Sequence, residues 1–461
     1  MTAVASPLLQ DVFARAADPN ECERFERQLK SAGYCRRPVR LKGGVTSIDS
    51  QTGEVVGRYS TDDEPDGTLL KCCGNRREAV CPSCAEVYRG DAYQLVVSGM
   101  RGGKGVPETV IEHPMVFLTL TAPSFGPVHS RRVIDGQARR CRPRRDGGIC
   151  PHGVPLGCSL VHDEDDERLG EPLCTECFEY EHAVLWNALA PELWRRTAIQ
   201  FPRELARLTG VSQNKLSARV SYVKVAEFQR RGALHFHCVL RLDVLDDDGE
   251  IVAPPARFTE QLLVDAATAA AQHASFLSPG SPAHPGLPIG WGAQIEARPL
   301  DADTSKLTAG YIAKYATKST EVVGGLLYRL EPGDIDRLKV RPHVQRLVKT
   351  AWDLALRREL HPLKLRRWAH QLGFRGHCFT KSRRYSTTFT ALRQARHEHV
   401  LRRQGQLRDR SRDVRYWRYS GAGYRTPGDA WLAESGRRRA VRQRRVAREE
   451  LRSSPVEGRR R

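Results

Sequence analysis

Three potential metal ligands lie close together in the segment EFQRRGALHFH, residues 227–237. In a strand, His235 and His237 would point to the same face, and Phe236 would enter the core behind them. If the chain forms a hairpin, Glu227 approaches that face from the partner strand. Two imidazoles and one carboxylate leave coordination positions open for a phosphate oxygen, as a catalytic divalent metal requires. The segment predicts such a site, although a His-x-His pair taken alone is more often structural.

The segment YIAKYATK, residues 311–318, carries two tyrosines and two lysines, each pair spaced by four residues. On a helix, Tyr311 and Tyr315 would share one face, and Lys314 and Lys318 an adjacent one. Tyrosines at this spacing usually belong to a core, but a core face does not ordinarily carry lysine beside tyrosine. The interleaved lysines therefore argue that these tyrosines do not form an ordinary core face.

Thirteen cysteines occur in the chain, and two pairs of them have the two-residue gap of zinc knuckles. Cys81 and Cys84 form the first pair, which follows the adjacent Cys72 and Cys73. Two neighbouring cysteines rarely bind one ion together, so Cys73 is assigned to this site and its fourth ligand is left open.

The second pair is Cys174 and Cys177. It follows Cys150, His152, Cys158 and His162. The predicted ligands of structural Zn²⁺ are Cys73, Cys81, Cys84, Cys150, Cys158, Cys174 and Cys177. Packing residues or free thiols are expected at Cys22, Cys35, Cys238 and Cys378. A redox or incidental role is the alternative for the pairs, but no nucleophile motif surrounds them.

A basic stretch with interspersed aromatic residues occupies residues 373–389. Its cations include Arg375, Lys381, Arg383 and Arg384, and its aromatic residues include Phe374, Phe379 and Tyr385. This mixture suits phosphate contacts combined with base stacking, so the four cations are predicted to bind DNA. A packed helix edge with solvated charges is the alternative.

The chain carries 74 Lys and Arg against 54 Asp and Glu, a formal charge of +20 that attracts polyanions. Residues 401–461 contribute 19 Arg and no Lys against seven acids. We interpret them as a tail that faces nucleic acid; a solvated tail without a specific role is the alternative. No apolar run approaches the roughly 18 residues of a membrane span, and no signal peptide is predicted. A cytoplasmic protein without a membrane partner is expected, and reduced cytosolic thiols favour metal sites over disulfides.

Strands and helices are predicted around these residues. Alternation of apolar residues predicts strands at 116–123 and 293–300 and a hairpin of 216–229 with 233–246. Helical spacing predicts helices near 264–277 and 304–320, and a helix over 181–210 that Pro191 and Pro202 cut into pieces. Past Pro332 the chain is expected to be basic and helical.

Three ordered segments resemble the motifs of two-tyrosine HUH endonucleases, which initiate rolling-circle replication. They are FLTLT at 117–121, Glu227 with HFH at 235–237, and YxxKYxxK at 311–318. Within that superfamily, EFQRRGALHFH, YIAKYATKS and FTKSRRYSTT are most similar to replication initiators of actinobacterial plasmids and integrative conjugative elements, the RepSA type. The resemblance covers roughly residues 70–390.

This resemblance implies a mechanism. A tyrosine hydroxyl would attack the scissile phosphate of origin DNA, single-stranded or extruded at the nick, while Mg²⁺ or Mn²⁺ on His235, His237 and Glu227 polarises it. A 5′-phosphotyrosine and a 3′-OH primer would result.

Under the same resemblance, Tyr311 and Tyr315 would act in succession, in an order that the sequence leaves open. Lys314 or Lys318 would offset charge on the phosphate or lower the tyrosine pKa. A host helicase and polymerase are the further partners implied.

We therefore expect an α+β fold with a central antiparallel sheet of the HUH type, zinc-binding insertions and a basic, mainly helical C-terminal region. The expected divisions are residues 1–65 of unknown role, 66–180 with zinc knuckles around the first strand, 181–330 as the nuclease core, 331–400 as a basic helical DNA-contacting region, and 401–461 as an Arg-rich tail.

Two rival functions share these residues. A two-tyrosine transposase would use the same site together with an N-terminal zinc module, and the DNA that flanks the gene would distinguish it from an initiator. A DNA-binding regulator would keep the fold without the chemistry. The joint presence of both histidines, the glutamate and both tyrosines argues against the regulator.

Overall fold

The computed structural model describes residues 6–144, 146–301, 303–318, 323, 326–403 and 411–453. Its helices are α1 (Pro7–Ala16), α2 (Pro19–Ser31), α3 (Pro82–Arg101), α4 (Tyr180–Thr209), α5 (Glu260–His273), α6 (Ser305–Tyr315), α7 (Pro342–Leu354), α8 (Leu365–Trp368), α9 (Phe389–Arg403) and α10 (Pro427–Ser453). Its strands are β1 (Val39–Asp49), β2 (Val55–Ser60), β3 (Leu69–Lys71), β4 (Met115–Thr121), β5 (Arg132–Ile134), β6 (Gln137–Arg139), β7 (Ala218–Phe228), β8 (Leu234–Leu245), β9 (Ile251–Val252), β10 (Ser275–Leu277), β11 (Pro288–Gly290), β12 (Ile295–Pro299), β13 (Phe379–Lys381) and β14 (Ser411–Ala422).

The chain divides into two compact units. Gly90–Leu392 forms one, called here the central unit, and Met1–Arg89 with Arg393–Arg461 forms the other, called the terminal unit. Within the predicted helix at 304–320 and the Arg-rich segment 401–461, residues 319–320, 404–410 and 454–461 lie outside the described residues. In the described part of the chain, no helix is long and apolar enough to cross a membrane.

A six-stranded antiparallel sheet organises the central unit. Five strands follow the order β12-β4-β8-β7-β13, and β9 pairs with β8. The strands predicted at 116–123 and 293–300 are confirmed as β4 and β12, and the predicted hairpin is confirmed as β7 with β8. In its register, Glu227 lies directly opposite His235. The central strand β8 is flanked on both sides, so nearly all its residues are buried.

One face of this sheet is covered by helices and forms the main core. Leu118 and Phe236 point into it and are fully buried. The Phe236 ring lies 6.3 Å from the Trp194 ring of α4. Helix α4 packs against α5, which also contacts β4 and β12. Because side chains alternate along a strand, the neighbours of Phe236 are left on the opposite face.

The helix α4 is continuous from Tyr180 to Thr209, so the prediction that two prolines cut it was wrong. A proline inside a helix costs about 3 kcal/mol because it lacks an N–H and crowds the preceding turn. Trp186, Leu193 and Phe201 are nevertheless buried around the two prolines. Each such side chain contributes about 1.5–3 kcal/mol, so burial outweighs the lost hydrogen bonds.

The terminal unit is built on a sheet of order β14-β1-β2, with β3 also paired to β1. Strand β14 pairs with β1 antiparallel from Val39 opposite Ala422 to Asp49 opposite Ser411. The C-terminal region was expected to be mainly helical, and α10 agrees, but β14 is a strand that the sequence analysis did not predict. Its partner lies near the other end of the sequence, beyond the reach of any local pattern.

One arginine side chain of the terminal unit makes ion pairs with three carboxylates. Arg15 of α1 lies 2.8 Å from Glu21 and Asp66 and 3.1 Å from Asp429 of α10, measured between side-chain N and O atoms. The apolar core beside them is small and includes Phe25, Leu29, Leu70 and Ala433. The pair of Arg15 with Asp429 therefore joins α1 to α10 beside this small core.

Candidate metal and tyrosine site

His237 and Glu227 face each other on the sheet surface opposite the helical core. His237 Nε2 lies 3.6 Å from Glu227 Oε2, and the rings of His235 and His237 have centroids 4.4 Å apart. Thr119 lies opposite His237 in register, and its Oγ1 is 3.3 Å from Nδ1 of that ring. A hydrogen bond to Nδ1 fixes the ring and turns Nε2 towards a ligand, as is typical of metal-binding histidines.

His235 is oriented by a chain of side chains from the hairpin turn. Gln229 Nε2 donates to His235 Nδ1 at 3.1 Å, and Arg231 Nε donates to Gln229 Oε1 at 3.0 Å. The same guanidinium donates to the carbonyls of Ala122 and Pro123, just after β4, at 2.9 and 2.8 Å. Because arginine only donates, the Gln229 amide nitrogen must face the ring, so His235 Nδ1 accepts and the uncharged ring carries its proton on Nε2.

Both predicted tyrosines lie over this surface on α6. The Tyr311 hydroxyl is 3.1 Å from His237 Nε2. The Tyr315 ring centroid lies 4.7 Å from that of Tyr311 and 5.8 Å from that of His237. Between them on the helix, Ile312 is fully buried and anchors α6, which contacts β7. The structure therefore brings together the two histidines, the glutamate and the two tyrosines that the sequence analysis singled out.

The predicted lysines lie beside the second tyrosine. Lys314 Nζ and Lys318 Nζ are 5.7 and 5.1 Å from the centroid of the Tyr315 ring. Cations at this distance are attracted to the face of an aromatic ring. A phosphate attached to Tyr315 would therefore have two ammonium groups within reach.

Burial and charge set the protonation of the site. Burial, followed by the neighbouring Tyr315 and Glu227, raises the pKa of Tyr311 well above its usual value. Burial and Glu227 raise the pKa of Tyr315 in the same direction. Burial, the His237 ring and Arg231 lower the pKa of His235 to about 3. At neutral pH the tyrosines are protonated, and His235 has the uncharged form that ligates metals.

A cleft of about 680 Å³ opens over the histidines and Tyr311. Its lining includes Thr119 and Arg298, whose guanidinium carbon lies 5.3 Å from the centroid of the Phe117 ring. Sequence reasoning did not single out Thr119, Gln229 or Arg298. Alternation in FLTLT could have identified Thr119, since it places Phe117 and Thr119 on one face. Nothing local indicates Arg298, which reaches the cleft from a strand paired across the sheet.

The sheet surface offers ligand types that a divalent cation can use. Two imidazoles and a carboxylate lie on adjacent strands, and the 3.6 Å separation between His237 Nε2 and Glu227 Oε2 brings one nitrogen and one oxygen together without sulfur. Two imidazoles and one carboxylate would leave coordination positions open on a bound metal ion.

Four cysteines of the terminal unit form a Cys₄ cluster of Cys35, Cys73, Cys81 and Cys84. Three of its sulfur–sulfur distances are 3.7 Å. A tetrahedral zinc with Zn–S bonds of about 2.3 Å separates two sulfurs by about 3.8 Å, whereas a disulfide is about 2 Å long. The structure adds Cys35 to the three cysteines that the sequence analysis assigned to this site, so the cluster offers four sulfurs that could hold a metal ion. Cys35 was expected to be a packing residue or free thiol, because it is distant from Cys73 in the sequence.

The remaining ligands form two clusters rather than one, both in the insertion between β4 and α4, residues 122–179. The His129 cluster consists of His129, Cys141, Cys158 and His162, and the Cys150 cluster consists of Cys150, His152, Cys174 and Cys177. The structure thus separates Cys158 from Cys150, a grouping that the sequence analysis had left open. Paired backbone hydrogen bonds between Arg142 and Cys158, at 2.9 and 2.8 Å, bring Cys158 beside Cys141 instead. His129 and Cys141 were missed because no knuckle spacing marks them.

Comparison with known proteins gives two findings. A family model described as "Replication initiator protein, pSAM2", RepSA, matches residues 21–438. A "Replication initiator protein" from Streptomyces ambofaciens is 42% identical over 463 residues, which cover 95% of this chain and 95% of the relative. The chain belongs to the RepSA family of replication initiator proteins. No solved structure matches it.

The basic stretch of this RepSA-family chain differs from its prediction in one respect. Phe374, Phe379 and Tyr385 are buried, and Tyr385 is inaccessible to solvent, so these rings belong to the core and do not stack on bases. Phe379 and Lys381 are the ends of β13, which pairs with β7.

The four predicted cations of the stretch fall into two groups. Lys381 is half-buried and donates to the Ser386 carbonyl, so it stabilises the loop after β13. Arg375, Arg383 and Arg384 are exposed. Arg375 donates to the Pro362 carbonyl at 3.0 Å. Of the four predicted cations, the three arginines are therefore the exposed ones, and their binding to DNA stays a prediction.

Proposed function

We propose that this chain initiates replication by cutting one strand of origin DNA with a tyrosine of α6, as a two-tyrosine nuclease of the HUH type. The observation that carries the proposal is the position of Tyr311. Its hydroxyl lies 3.1 Å from Nε2 of His237, next to Glu227 and Tyr315, at the floor of an open cleft. Membership of a replication initiator family favours initiation over transposition.

The proposed reaction is a transesterification. The Tyr311 or Tyr315 oxygen forms a bond to the scissile phosphorus, and the bond from phosphorus to the 3′ oxygen breaks. The tyrosine proton is transferred, in net terms, to the leaving oxygen, which becomes a 3′-OH. Energy is retained in the 5′-phosphotyrosine, so the strand can be rejoined later. The second tyrosine, 4.7 Å away between ring centroids, can then accept the strand.

His235, His237 and Glu227 would hold a divalent cation, Mg²⁺ or Mn²⁺. When bound, it would polarise a phosphate oxygen and offset the charge of Glu227. The chain itself orients the ligands, through Thr119 on His237 and Gln229 on His235. It also keeps the tyrosines protonated until phosphate enters, because burial and Glu227 raise the pKa of both.

The DNA backbone would be held by cations around the site. Lys314 and Lys318 lie beside Tyr315. Arg298 lines the cleft, and Arg383 and Arg384 are exposed near the sheet edge. Each lost phosphate contact reduces the slope of log affinity against log salt by about 1, so the double change of Arg383 and Arg384 to Gln should reduce it by about 2.

Adduct formation tests the proposal. Single-stranded oligonucleotides that tile the DNA flanking the gene are labelled at the 3′ end, because the strand 3′ to the cut stays on the protein. With Mg²⁺ or Mn²⁺, one tile should shift to the mass of the protein on a denaturing gel. Tyr311→Phe with Tyr315→Phe should abolish the shift, since the rings still pack but both nucleophilic oxygens are gone.

The single variants and a control sharpen this test. One of Tyr311→Phe and Tyr315→Phe should lose the first cut, and the other should cut but fail to complete strand transfer. Tyr328→Phe, at an exposed tyrosine of the same unit, should behave as wild type. An adduct from the double variant would place the nucleophile elsewhere, and the absence of any adduct from wild type on every tile would refute the proposal.

A further inference from the structure

The eight ligands of the two clusters in the insertion alternate along the chain. His129 and Cys141 belong to the His129 cluster, the next two ligands to the Cys150 cluster, the next two to the His129 cluster again, and the last two to the Cys150 cluster. Each cluster therefore closes a loop that contains ligands of the other. Closing either loop reduces the chain entropy that must be lost to close the second.

Distances in the His129 cluster fit a tetrahedral zinc. His129 Nδ1 lies 3.2 Å from His162 Nε2, and Cys158 Sγ lies 3.6 Å from the same nitrogen. Zinc bonds of about 2.0–2.1 Å to nitrogen and 2.3 Å to sulfur give separations of about 3.3 and 3.6 Å.

A second observation points independently to a metal at this cluster. Asp166 Oδ2 lies 2.7 Å from His162 Nδ1, the nitrogen that faces away from the other ligands. A carboxylate on the outer nitrogen is the usual partner of a zinc-bound histidine. The Cys141 sulfur also accepts from the Ser130 backbone N–H at 3.1 Å, a contact that favours a thiolate.

We propose that residues 129–177 form a cross-braced module with two structural zinc ions, and that its His129 cluster holds the hairpin turn that orients His235. The second part rests on the proposed function in one respect, that His235 is a ligand of the catalytic metal. With the Cys₄ cluster, the chain then carries three zinc ions.

Two arginine side chains join module and turn by donating to backbone carbonyls. Arg230 of the turn donates to the carbonyls of Glu164 and Asp166, at 2.7 and 3.4 Å. Arg341 donates to the carbonyls of both Leu169 and Arg230, at 2.9 and 2.8 Å. Gly170 has a φ of +88° and lies so close that an added Cβ would be 2.3 Å from the Arg230 carbonyl carbon.

From the turn, the connection to the metal surface is short. Arg231 follows Arg230 and holds Gln229, which donates to His235. The segment that carries Asp166 also carries the zinc ligand His162. Loss of that zinc therefore releases the carbonyls that hold Arg230, and with them the side chain that orients His235. In this scheme Gln229 and Gly170 are positioning residues.

Zinc content of the full chain tests the module without DNA. Wild type should contain three zinc ions per chain, measured by mass spectrometry of the element after exhaustive dialysis. Cys158→Ser and Cys174→Ser should each leave one, because interleaved loops fail together, and Cys22→Ser, outside the clusters, should leave three. Fewer than three in wild type, or two in either cluster variant, would overturn the cross-brace.

Hydrogen exchange tests the coupling to the turn. In Cys158→Ser, amides of residues 229–237 should exchange at least about tenfold faster than in wild type. Gly170→Ala should give the same increase while retaining three zinc ions, which keeps the test valid if the cysteine variant fails to fold. Unchanged exchange in a Gly170→Ala protein would overturn the coupling. A wild type with three zinc ions and a protected turn that forms no DNA adduct would overturn only the proposed nicking.

Discussion

The six-stranded sheet of the central unit and the insertion at residues 122–179 are stabilised by different means. The sheet buries apolar side chains such as Phe236 and Leu118 against α4 and α5. The insertion contains β5 and β6, two three-residue strands whose side chains are exposed, and many of its buried residues are cysteine and histidine. Apolar burial therefore stabilises the sheet beneath the tyrosines, whereas the insertion combines a few apolar residues with Cys and His clusters that could hold metal ions.

Removal of metal is expected to give the largest difference between the insertion and the sheet. Structural zinc supplies about 10–16 kcal/mol of folding free energy in small domains. A strong chelator should therefore make residues 122–179 susceptible to protease, while β7 and β8 stay protected. Limited proteolysis with peptide mass mapping measures both regions in one sample. If the insertion stays protected after zinc is shown to be absent, its stability does not depend on metal.

Truncation of an apolar residue should separate the two regions in the opposite direction. Phe236→Ala should reduce the free energy of unfolding by about 3–5 kcal/mol, because it leaves a cavity beside Trp194. The matched control in the insertion is Val133→Ala on β5, an exposed side chain whose loss should cost less than about 0.5 kcal/mol. Urea unfolding followed by tryptophan fluorescence measures the difference. Equal effects would show that the insertion too has an apolar core.

The terminal unit adds a third means of stabilisation, the buried ion pair. Asp429→Ala should cost about 2–3 kcal/mol, because it removes a carboxylate bound to the half-buried Arg15 guanidinium. The control is Arg27→Ala, which breaks an exposed pair with Glu23 and should cost about 0.3–0.5 kcal/mol. Thermal unfolding of the two variants measures the contrast. A cost for Asp429→Ala as small as the control would assign the contact of α1 with α10 to apolar packing.

The smallest expected effect concerns Gln229. This residue lies in the hairpin turn through which, in our proposal, the insertion orients His235 of the sheet. Its amide nitrogen faces His235 Nδ1, so the metal-free ring carries its proton on Nε2. Gln229→Glu should raise Mn²⁺ affinity about tenfold, because a carboxylate accepts from Nδ1–H and frees Nε2 for the metal. Gln229→Leu is the control and should not raise it. Titration by electron paramagnetic resonance gives both dissociation constants, and an unchanged value for Gln229→Glu would remove His235 from the ligand set.

The sequence was most informative where function depends on neighbours in the chain. The period of a strand placed His235 and His237 on one face, and the hairpin placed Glu227 opposite them. The four-residue spacing of Tyr311 and Tyr315 gave the helix face. These contacts arise within single elements or across one turn, so local periodicity determines them.

Contacts between segments that are distant in the sequence could not be predicted from such local patterns. Cys35 and Cys73 share one cluster although β1, β2 and β3 lie between them in the sequence. Strand β14 likewise pairs with β1, which is more than 360 residues away in the sequence. The aromatic residues of 373–389 were predicted to stack on bases. Local composition does not show whether an aromatic side chain is buried against a distant element. The predicted break at Pro191 was wrong for a related reason, since tertiary packing of α4 outweighs the local cost of a proline inside a helix.

Pairing of β1 with β14 also has a consequence for synthesis of the protein. β1 ends at Asp49 and its partner begins at Ser411, so more than 360 residues are translated before the pair can form. At about 5–20 residues per second, β1 waits on the order of 20–70 s on the ribosome. The central unit is continuous from Gly90 to Leu392 and is complete before β14 is made. A nascent chain therefore already contains the whole sequence of the central unit, with the sheet and the two tyrosines of α6. At that stage the edge of β1 that will pair with β14 is still open to chaperones or to another chain.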